Sequence, residues 1–121
     1  MDVKGAFDHV NSDKLICRMQ EMGIDNDLID WTKSFLTDRR VELVIDGYIN
    51  PEKAVDTGIP QGSPVSPILF LIYLSGMFTE VEKAAPGITS LSFMDDLGFI
   101  AEGGSATEIA ATLETVGEAV I

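Results

Sequence analysis

The chain is poor in the side chains that build disulfides and zinc sites. It has one cysteine, Cys17, and one histidine, His9, among 121 residues. A single cysteine cannot form an internal disulfide, and this usage is typical of intracellular proteins. The residues around His9 indicate neither a zinc site nor a Ser/His/Asp arrangement. We expect His9 to lie on the surface.

Long apolar runs and a signal peptide are also missing. The longest apolar stretch, Pro67–Phe78, contains small residues and is shorter than the ~20 residues that span a bilayer. The first residues show no secretory signal pattern. We therefore expect a soluble, intracellular protein without a membrane segment, and the sequence does not distinguish the cytoplasm from the nucleus.

Positive charge is scarce. Twenty acids oppose eight bases, which gives a net charge of −12. Such a surface repels nucleic acid on average, so binding a polynucleotide would require a cation or a basic partner region. The 45% hydrophobic content argues for a packed core, and the length corresponds to about one domain.

Helical periodicity marks the first third of the chain. An apolar stripe that starts near Asn11-Ser12 and stops at Gly23 predicts the first helix. Asp25 is a good N-cap for a second helix, which ends at Arg39-Arg40. The two arginines suit a helix C-terminus electrostatically, and phosphate contact is the alternative. The apolar residues assigned to the second helix are Leu28, Trp31, Phe35 and Leu36.

Turn residues separate the remaining elements. Val41–Ile45 predicts a strand, and Asp46-Gly47 is typical of a two-residue hairpin turn. The apolar segment Ile68–Phe78 predicts a buried helix. A final helix begins at a capping box formed by Ser105 and Glu108. Together these elements predict an α+β fold in which helices pack on one face of a small antiparallel sheet.

Two adjacent carboxylates, Asp95 and Asp96, lie between two partly alternating apolar runs. The stretch Leu91–Ala101 therefore predicts a β-hairpin with both acids at its tip. Like charges this close repel by ~1 kcal/mol even in water, and a bound cation would remove that repulsion. The alternative is an acidic turn that water solvates.

Three stretches of the chain form a pattern when they are taken together. They are Asp2-Val3-Lys4-Gly5-Ala6-Phe7-Asp8, Gly58-Ile59-Pro60-Gln61-Gly62-Ser63-Pro64 and Phe93-Met94-Asp95-Asp96. In order and spacing they resemble the core motifs of reverse transcriptases, in a style closest to non-LTR (LINE-type) retrotransposons. The resemblance covers nearly the whole chain. It implies that residues 1–121 form a single partial domain, a polymerase palm truncated at both ends.

The resemblance implies a metal site built from carboxylates. Asp2 and Asp95 would bind two Mg²⁺ ions, with Mn²⁺ as a substitute, and Asp96 would be a third, less essential acid. Mg²⁺ prefers hard oxygen ligands, and paired ions stabilise the attacking and leaving oxygens of phosphoryl transfer. The alternative for Asp2 is an exposed terminal acid. We expect Asp8 to cap the turn into the first helix rather than to bind metal.

The resemblance also implies substrate contacts by Phe7, Gln61 and Gly62. A rigid ring at Phe7 would exclude a ribose 2′-hydroxyl and so select dNTPs, and the alternative is an ordinary core phenylalanine. Gln61 would position the incoming nucleotide and the template base, and the alternative is a solvated loop glutamine. Gly62 would let the backbone approach the nucleic acid closely.

The implied partners of the intact protein are an RNA template, a DNA primer and dNTPs. Phe93 stands where the family more usually has tyrosine, which keeps the ring and removes a hydroxyl. We expect this chain to lack the basic fingers, the thumb and any endonuclease, and therefore to show little or no polymerase activity alone. Two alternatives stay open: a non-catalytic retrotransposon relic or interaction module, and a Ca²⁺- or Mg²⁺-binding domain unrelated to polymerases.

Overall fold

A computed structural model describes residues 5–93 and 96–120 as four helices and six short strands. The helices are α1 (Ser12–Glu21), α2 (Asn26–Leu36), α3 (Ser66–Ala84) and α4 (Ala106–Val120). The strands are β1 (Arg40–Val41), β2 (Val44–Ile45), β3 (Tyr48–Ile49), β4 (Lys53–Ala54), β5 (Thr89–Phe93) and β6 (Asp96–Ile100). They pair antiparallel as β1–β4, β2–β3 and β5–β6. The predicted α+β class is confirmed, although the described strands form three separate ribbons rather than one sheet.

Side-chain caps determine where the first two helices begin. The Asn11 side chain accepts a hydrogen bond from the Lys14 amide at 2.9 Å, and Asp25 accepts one from the Asp27 amide at 2.9 Å. Gly23 follows α1 with a φ of 70°, a conformation that glycine adopts without strain. Both predicted starts and the predicted stop are confirmed, because each depends on local hydrogen bonds and local backbone geometry.

The buried face of α2 differs from the predicted one. Leu28 and Trp31 are exposed, at 57% and 48%. The buried residues of this helix are Ile29, Thr32 and Leu36. Both sets have helical spacing, so the sequence pattern alone does not choose between them. Packing against α1 selects the second set, and the Trp31 ring instead stacks on Phe35 with ring centroids 5.0 Å apart.

The segment that contains β1 to β4 contributes no buried residue. Every residue from 40 to 54 is exposed. The predicted strand Val41–Ile45 is interrupted, because Val41 ends β1 and Val44 begins β2. The predicted turn at Asp46-Gly47 is confirmed: both residues have positive φ, 51° and 81°, as a type I′ turn requires. Turn geometry and main-chain pairing, rather than burial, therefore hold these ribbons.

Both core clusters form around α3. The helix contributes Leu69, Phe70 and Leu74 to the main cluster and Val81 to a smaller one that includes Val116 of α4. The other buried members of the main cluster are Ala6, Val10, Leu15, Met19, Ile29, Leu36, Ile59 and Leu97. The predicted buried helix is confirmed, although its outward positions 68 and 71 are 59% and 49% exposed. None of the four helices is both long and apolar enough to cross a membrane.

The start of α4 follows the predicted capping box with one bond shifted. The Glu108 amide donates to Ser105 Oγ at 3.2 Å, as the pattern requires. The Glu108 carboxylate accepts its bond from the Gly104 amide at 3.0 Å, one residue before Ser105. The predicted helix start is confirmed, and the returning bond lies one residue earlier than the pattern places it.

The acidic stretch belongs to the β5–β6 hairpin. Its ladder ends at the pair Phe93↔Asp96, so the predicted hairpin is confirmed and Asp96 is the first residue of β6. Leu97 is buried in the main core cluster and Asp96 is exposed, as the alternation of side chains along a strand requires. Met94 and Asp95 lie outside the described residues.

Candidate functional site

A tight turn carries the end of the first motif. The amides of Asp8 and His9 donate to the Gly5 carbonyl at 3.0 and 3.1 Å, and His9 Nδ1 donates to the same oxygen at 2.8 Å. Gly5 has a φ of 67°, and a Cβ there would lie 2.9 Å from His9 Nδ1. His9 is exposed, as predicted. The turn brings Phe7 beside α3, where its ring stacks on Phe70 with centroids 5.0 Å apart.

The second motif docks directly on this turn. The Ile59 amide donates to the Phe7 carbonyl at 2.8 Å, and the Gly58 amide donates to the Val10 carbonyl at 2.9 Å. A Cβ on Gly58 would lie 2.7 Å from both Asp8 Cα and the Phe7 carbonyl oxygen. Glycine is therefore required at position 58, because the two backbones touch there. Two motifs about fifty residues apart in sequence form one structural unit.

A cavity of about 360 Å³ opens at this junction. The residues that line it are Phe7, Gln61, Gly62, Ser63, Ser66 and Pro67. All three residues predicted to contact substrate are among them. Phe7 is partly buried and packs against the main core cluster as well as lining the cavity. The predicted gate and the alternative of a core phenylalanine therefore both have a structural basis.

Polar contacts order the rim of the cavity. Gln61 Nε2 donates to Asp8 Oδ1 at 3.5 Å, which links the second motif to the last acid of the first. Asp8 lies in the turn that precedes α1, and the N-cap of the helix itself is Asn11. Gln61 is exposed, so its amide is accessible from solvent while one of its donors has a carboxylate partner. Such an amide can exchange this partner for a ligand.

The predicted metal ligands are only partly described. Asp2 and Asp95 lie outside the described residues, and Asp96 is exposed and does not line the cavity. Within residues 5–93 and 96–120, no group of three or more His, Cys, Asp or Glu side chains is arranged to hold a metal ion. Carboxylate oxygens are hard ligands, so the three predicted acids would suit a hard ion such as Mg²⁺.

Two further residues, Ser66 and Arg39, shape this site through contacts that were not predicted from the sequence. Ser66 is 1% exposed, lines the cavity and donates from Oγ to the Pro60 carbonyl at 2.6 Å. Arg39 donates from Nη2 to the carbonyls of Thr57 and Gly58, at 2.8 and 2.6 Å. Neither partner is near in sequence to the arginine, so only the folded chain reveals that contact.

Known proteins match this chain across nearly all its length. It is 33% identical over 105 residues to the retrovirus-related Pol polyprotein from type-1 retrotransposable element R2 of Popillia japonica, covering 80% of this chain and 17% of that protein. It is 29% identical over 110 residues to the RNA-directed DNA polymerase from mobile element jockey of Drosophila melanogaster, covering 87% of this chain and 12% of that protein.

A third relative is the jockey RNA-directed DNA polymerase of Drosophila funebris, 26% identical over 117 residues that cover 94% of this chain and 13% of that protein. The chain thus spans less than a fifth of the length of each of these three relatives. Residues 1–120 also match the family described as reverse transcriptase (RNA-dependent DNA polymerase). The chain therefore belongs to the reverse transcriptase family.

Proposed function

We propose that this chain is the palm part of an RNA-directed DNA polymerase, which adds dNTPs to a 3′-hydroxyl primer on an RNA template. One observation carries the proposal: Phe7 lines the same cavity as Gln61 and Gly62, from which it is separated by about fifty residues of sequence. Relatives that match most of the chain bear the name RNA-directed DNA polymerase. The cavity opens where the second motif docks on the turn of the first motif.

In the proposed site, Phe7 selects the sugar and Gln61 orients the nucleotide. The Phe7 ring stacks on Phe70, and this contact would oppose its displacement by a 2′-hydroxyl placed against it. Gln61 presents an exposed amide that can donate and accept hydrogen bonds at a base or sugar edge. Gly62 has a φ of 86° and open space at its Cβ position, which leaves room for a ligand to approach the backbone.

Asp2, Asp95 and Asp96 are the proposed ligands of Mg²⁺, for which Mn²⁺ would substitute. Bound ions would supply the positive charge that stabilises the attacking and leaving oxygens of phosphoryl transfer. The carboxylates would hold these ions, and the nucleotide phosphates would complete the coordination. The same ions would offset the net charge of −12, which otherwise repels a polyanionic substrate.

Nucleotide titration monitored by NMR tests this function. With Mg²⁺ present, dTTP is expected to shift the amide resonances of Phe7 and Gly62 and the side-chain amide of Gln61. Gln61→Ala is expected to weaken binding by about fivefold, since a lost hydrogen bond is worth ~1 kcal/mol. Gln20→Ala on the exposed part of α1 is the matched control and should leave the affinity unchanged. Shifts spread over the surface, or none at all, would favour a non-catalytic module that keeps the palm fold.

A further inference from the structure

Two adjacent arginines after α2 have different environments. Arg40 is exposed, and its Nη1 pairs with Glu52 Oε2 at 3.1 Å across the β1–β4 ribbon. Arg39 is partly buried, and in residues 5–93 and 96–120 no carboxylate pairs with it. The side-chain hydrogen bonds of Arg39 in this part of the chain are to carbonyl oxygens. A solvated surface charge does not need such an arrangement.

The Arg39 guanidinium joins the end of α2 to the second motif. Its Nε donates to the Leu36 carbonyl at 3.3 Å, and its Nη2 donates to the carbonyls of Thr57 and Gly58 at 2.8 and 2.6 Å. Its backbone carbonyl also accepts the Val55 amide at 2.8 Å. The two shortest side-chain contacts are those to the loop, so support of the helix end is the lesser part of what this side chain does.

The loop that Arg39 holds leads directly into the cavity. Gly58 is followed by Ile59, which is 2% exposed, and by Pro60, whose carbonyl accepts the Ser66 hydroxyl. Gln61 and Gly62 come next and line the cavity. Between the bonds of Arg39 and the bond to Ser66 the backbone has little freedom. A shift at Gly58 would therefore move Gln61.

We propose that Arg39 is a positioning residue of the candidate nucleotide site, which fixes the carbonyls of Thr57 and Gly58 so that Gln61 and Gly62 face the nucleotide. This inference rests on the proposed function. Arginine suits the task because its planar fork directs Nε and Nη2 in set directions, whereas a lysine offers one flexible ammonium. Arg39→Lys is therefore expected to behave as a loss rather than as a conservative change.

The test compares Arg39→Gln, Arg39→Lys and the matched neighbour Arg40→Gln in the full 121-residue chain. We expect both Arg39 variants to weaken dTTP binding with Mg²⁺ by about tenfold, which corresponds to ~1.4 kcal/mol of binding free energy. They should also shift the Gln61 side-chain amide resonance before nucleotide is added. Arg40→Gln should do neither, because its partner Glu52 lies outside the cavity lining.

A control variant that loses stability at another site distinguishes a positioning role of Arg39 from a purely structural one. Val116→Ala removes volume from the smaller core cluster, far from the loop in sequence, and should lower the thermal midpoint without changing dTTP affinity. Arg39 variants that lose stability while retaining wild-type affinity would overturn the inference and leave the proposed function intact. Failure of the wild-type chain to bind dTTP would instead contradict the proposed function, and with it the role of Arg39.

Discussion

At the scale of single residues, glycines 58 and 62 show how the same backbone conformation serves two purposes. Both have positive φ, 75° and 86°, which side-chain-bearing residues rarely adopt. At Gly58 a Cβ would meet the backbone of Asp8 at 2.7 Å, whereas at Gly62 nothing lies within 4 Å. For folding, Gly58 is thus required by its φ and by packing between the motifs, and Gly62 by its φ alone.

Alanine at these two positions is expected to have unequal effects on stability. Gly62→Ala should lower the free energy of unfolding by about 1 kcal/mol, the strain of a left-handed residue. Gly58→Ala should lower it by about 3 kcal/mol or more, because overpacking against rigid backbone adds to that strain. Urea unfolding monitored by circular dichroism measures both. Equal losses would show that the backbone contact at Gly58 is not tight.

Phe7 and Phe70 form a pair in which only one ring borders the cavity. Phe7→Leu and Phe70→Leu should each lower stability by about 1 kcal/mol or more, from lost aromatic contact and volume. Only Phe7→Leu should raise binding of UTP relative to dTTP, on the order of tenfold, since a small change in pocket volume is worth ~1–3 kcal/mol. An unchanged ratio of the two affinities would leave Phe7 as an ordinary core residue.

At the scale of elements, α1 is attached to α3 by one polar side chain as well as by the core. Arg18 donates to Ser75 Oγ at 2.9 Å, to the Ser75 carbonyl at 3.3 Å and to Thr79 Oγ1 at 3.2 Å. It also pairs with Glu21 at 3.0 Å within α1. Since the Arg18 side chain is 24% exposed, these bonds are partly shielded from water.

Arg18→Met is expected to lower the free energy of unfolding by about 1–2 kcal/mol, because it removes charge-assisted bonds between two helices. Lys33→Met is the matched control, since Lys33 also pairs with an acid of its own helix, Asp30, but is half exposed. That change should alter stability by less than ~0.5 kcal/mol. Urea unfolding of the two variants under one buffer condition makes the comparison, and equal losses would exclude the interhelical role.

Element boundaries could be predicted where local chemistry decides them. The caps at Asn11 and Asp25 and the turn at Asp46-Gly47 are each determined by a side-chain hydrogen bond or by φ within a few residues. The buried face of α2 could not be predicted, because the predicted set and the observed set, which includes the polar Thr32, share the helical period and only packing against other helices distinguishes them. The exposure of Trp31 follows from that choice.

At the scale of the whole molecule, the negative net charge opposes binding of a template–primer duplex more than binding of a single nucleotide. A metal ion can offset the triphosphate of one dNTP, but a template–primer duplex presents many phosphates to a surface of net charge −12. The chain also spans less than a fifth of each named relative. We propose that basic regions of an intact protein supply the remaining attraction.

The isolated chain is accordingly expected to show little or no primer extension on an RNA template with Mg²⁺ or Mn²⁺. Anisotropy of a labelled RNA–DNA hybrid should likewise show only weak binding, which falls further as salt is raised. Both measurements use the chain as it stands, with a complete reverse transcriptase as the positive control. Robust extension that Asp95→Asn abolishes would contradict this expectation while supporting the proposed catalytic role of the acid.

The sequence by itself determined the family, the order of the three motifs and the local signals that begin and end helices. These features depend on residue identity and on bonds between near neighbours, which a linear pattern records. The tertiary structure decided that Phe7 lines one cavity with Gln61 and Gly62, that the backbone of Gly58 packs against Asp8, and that Arg39 rather than Arg40 holds the loop. Those contacts join residues that are many positions apart, so their geometry exists only once α3 and the main core cluster have brought the two motifs together.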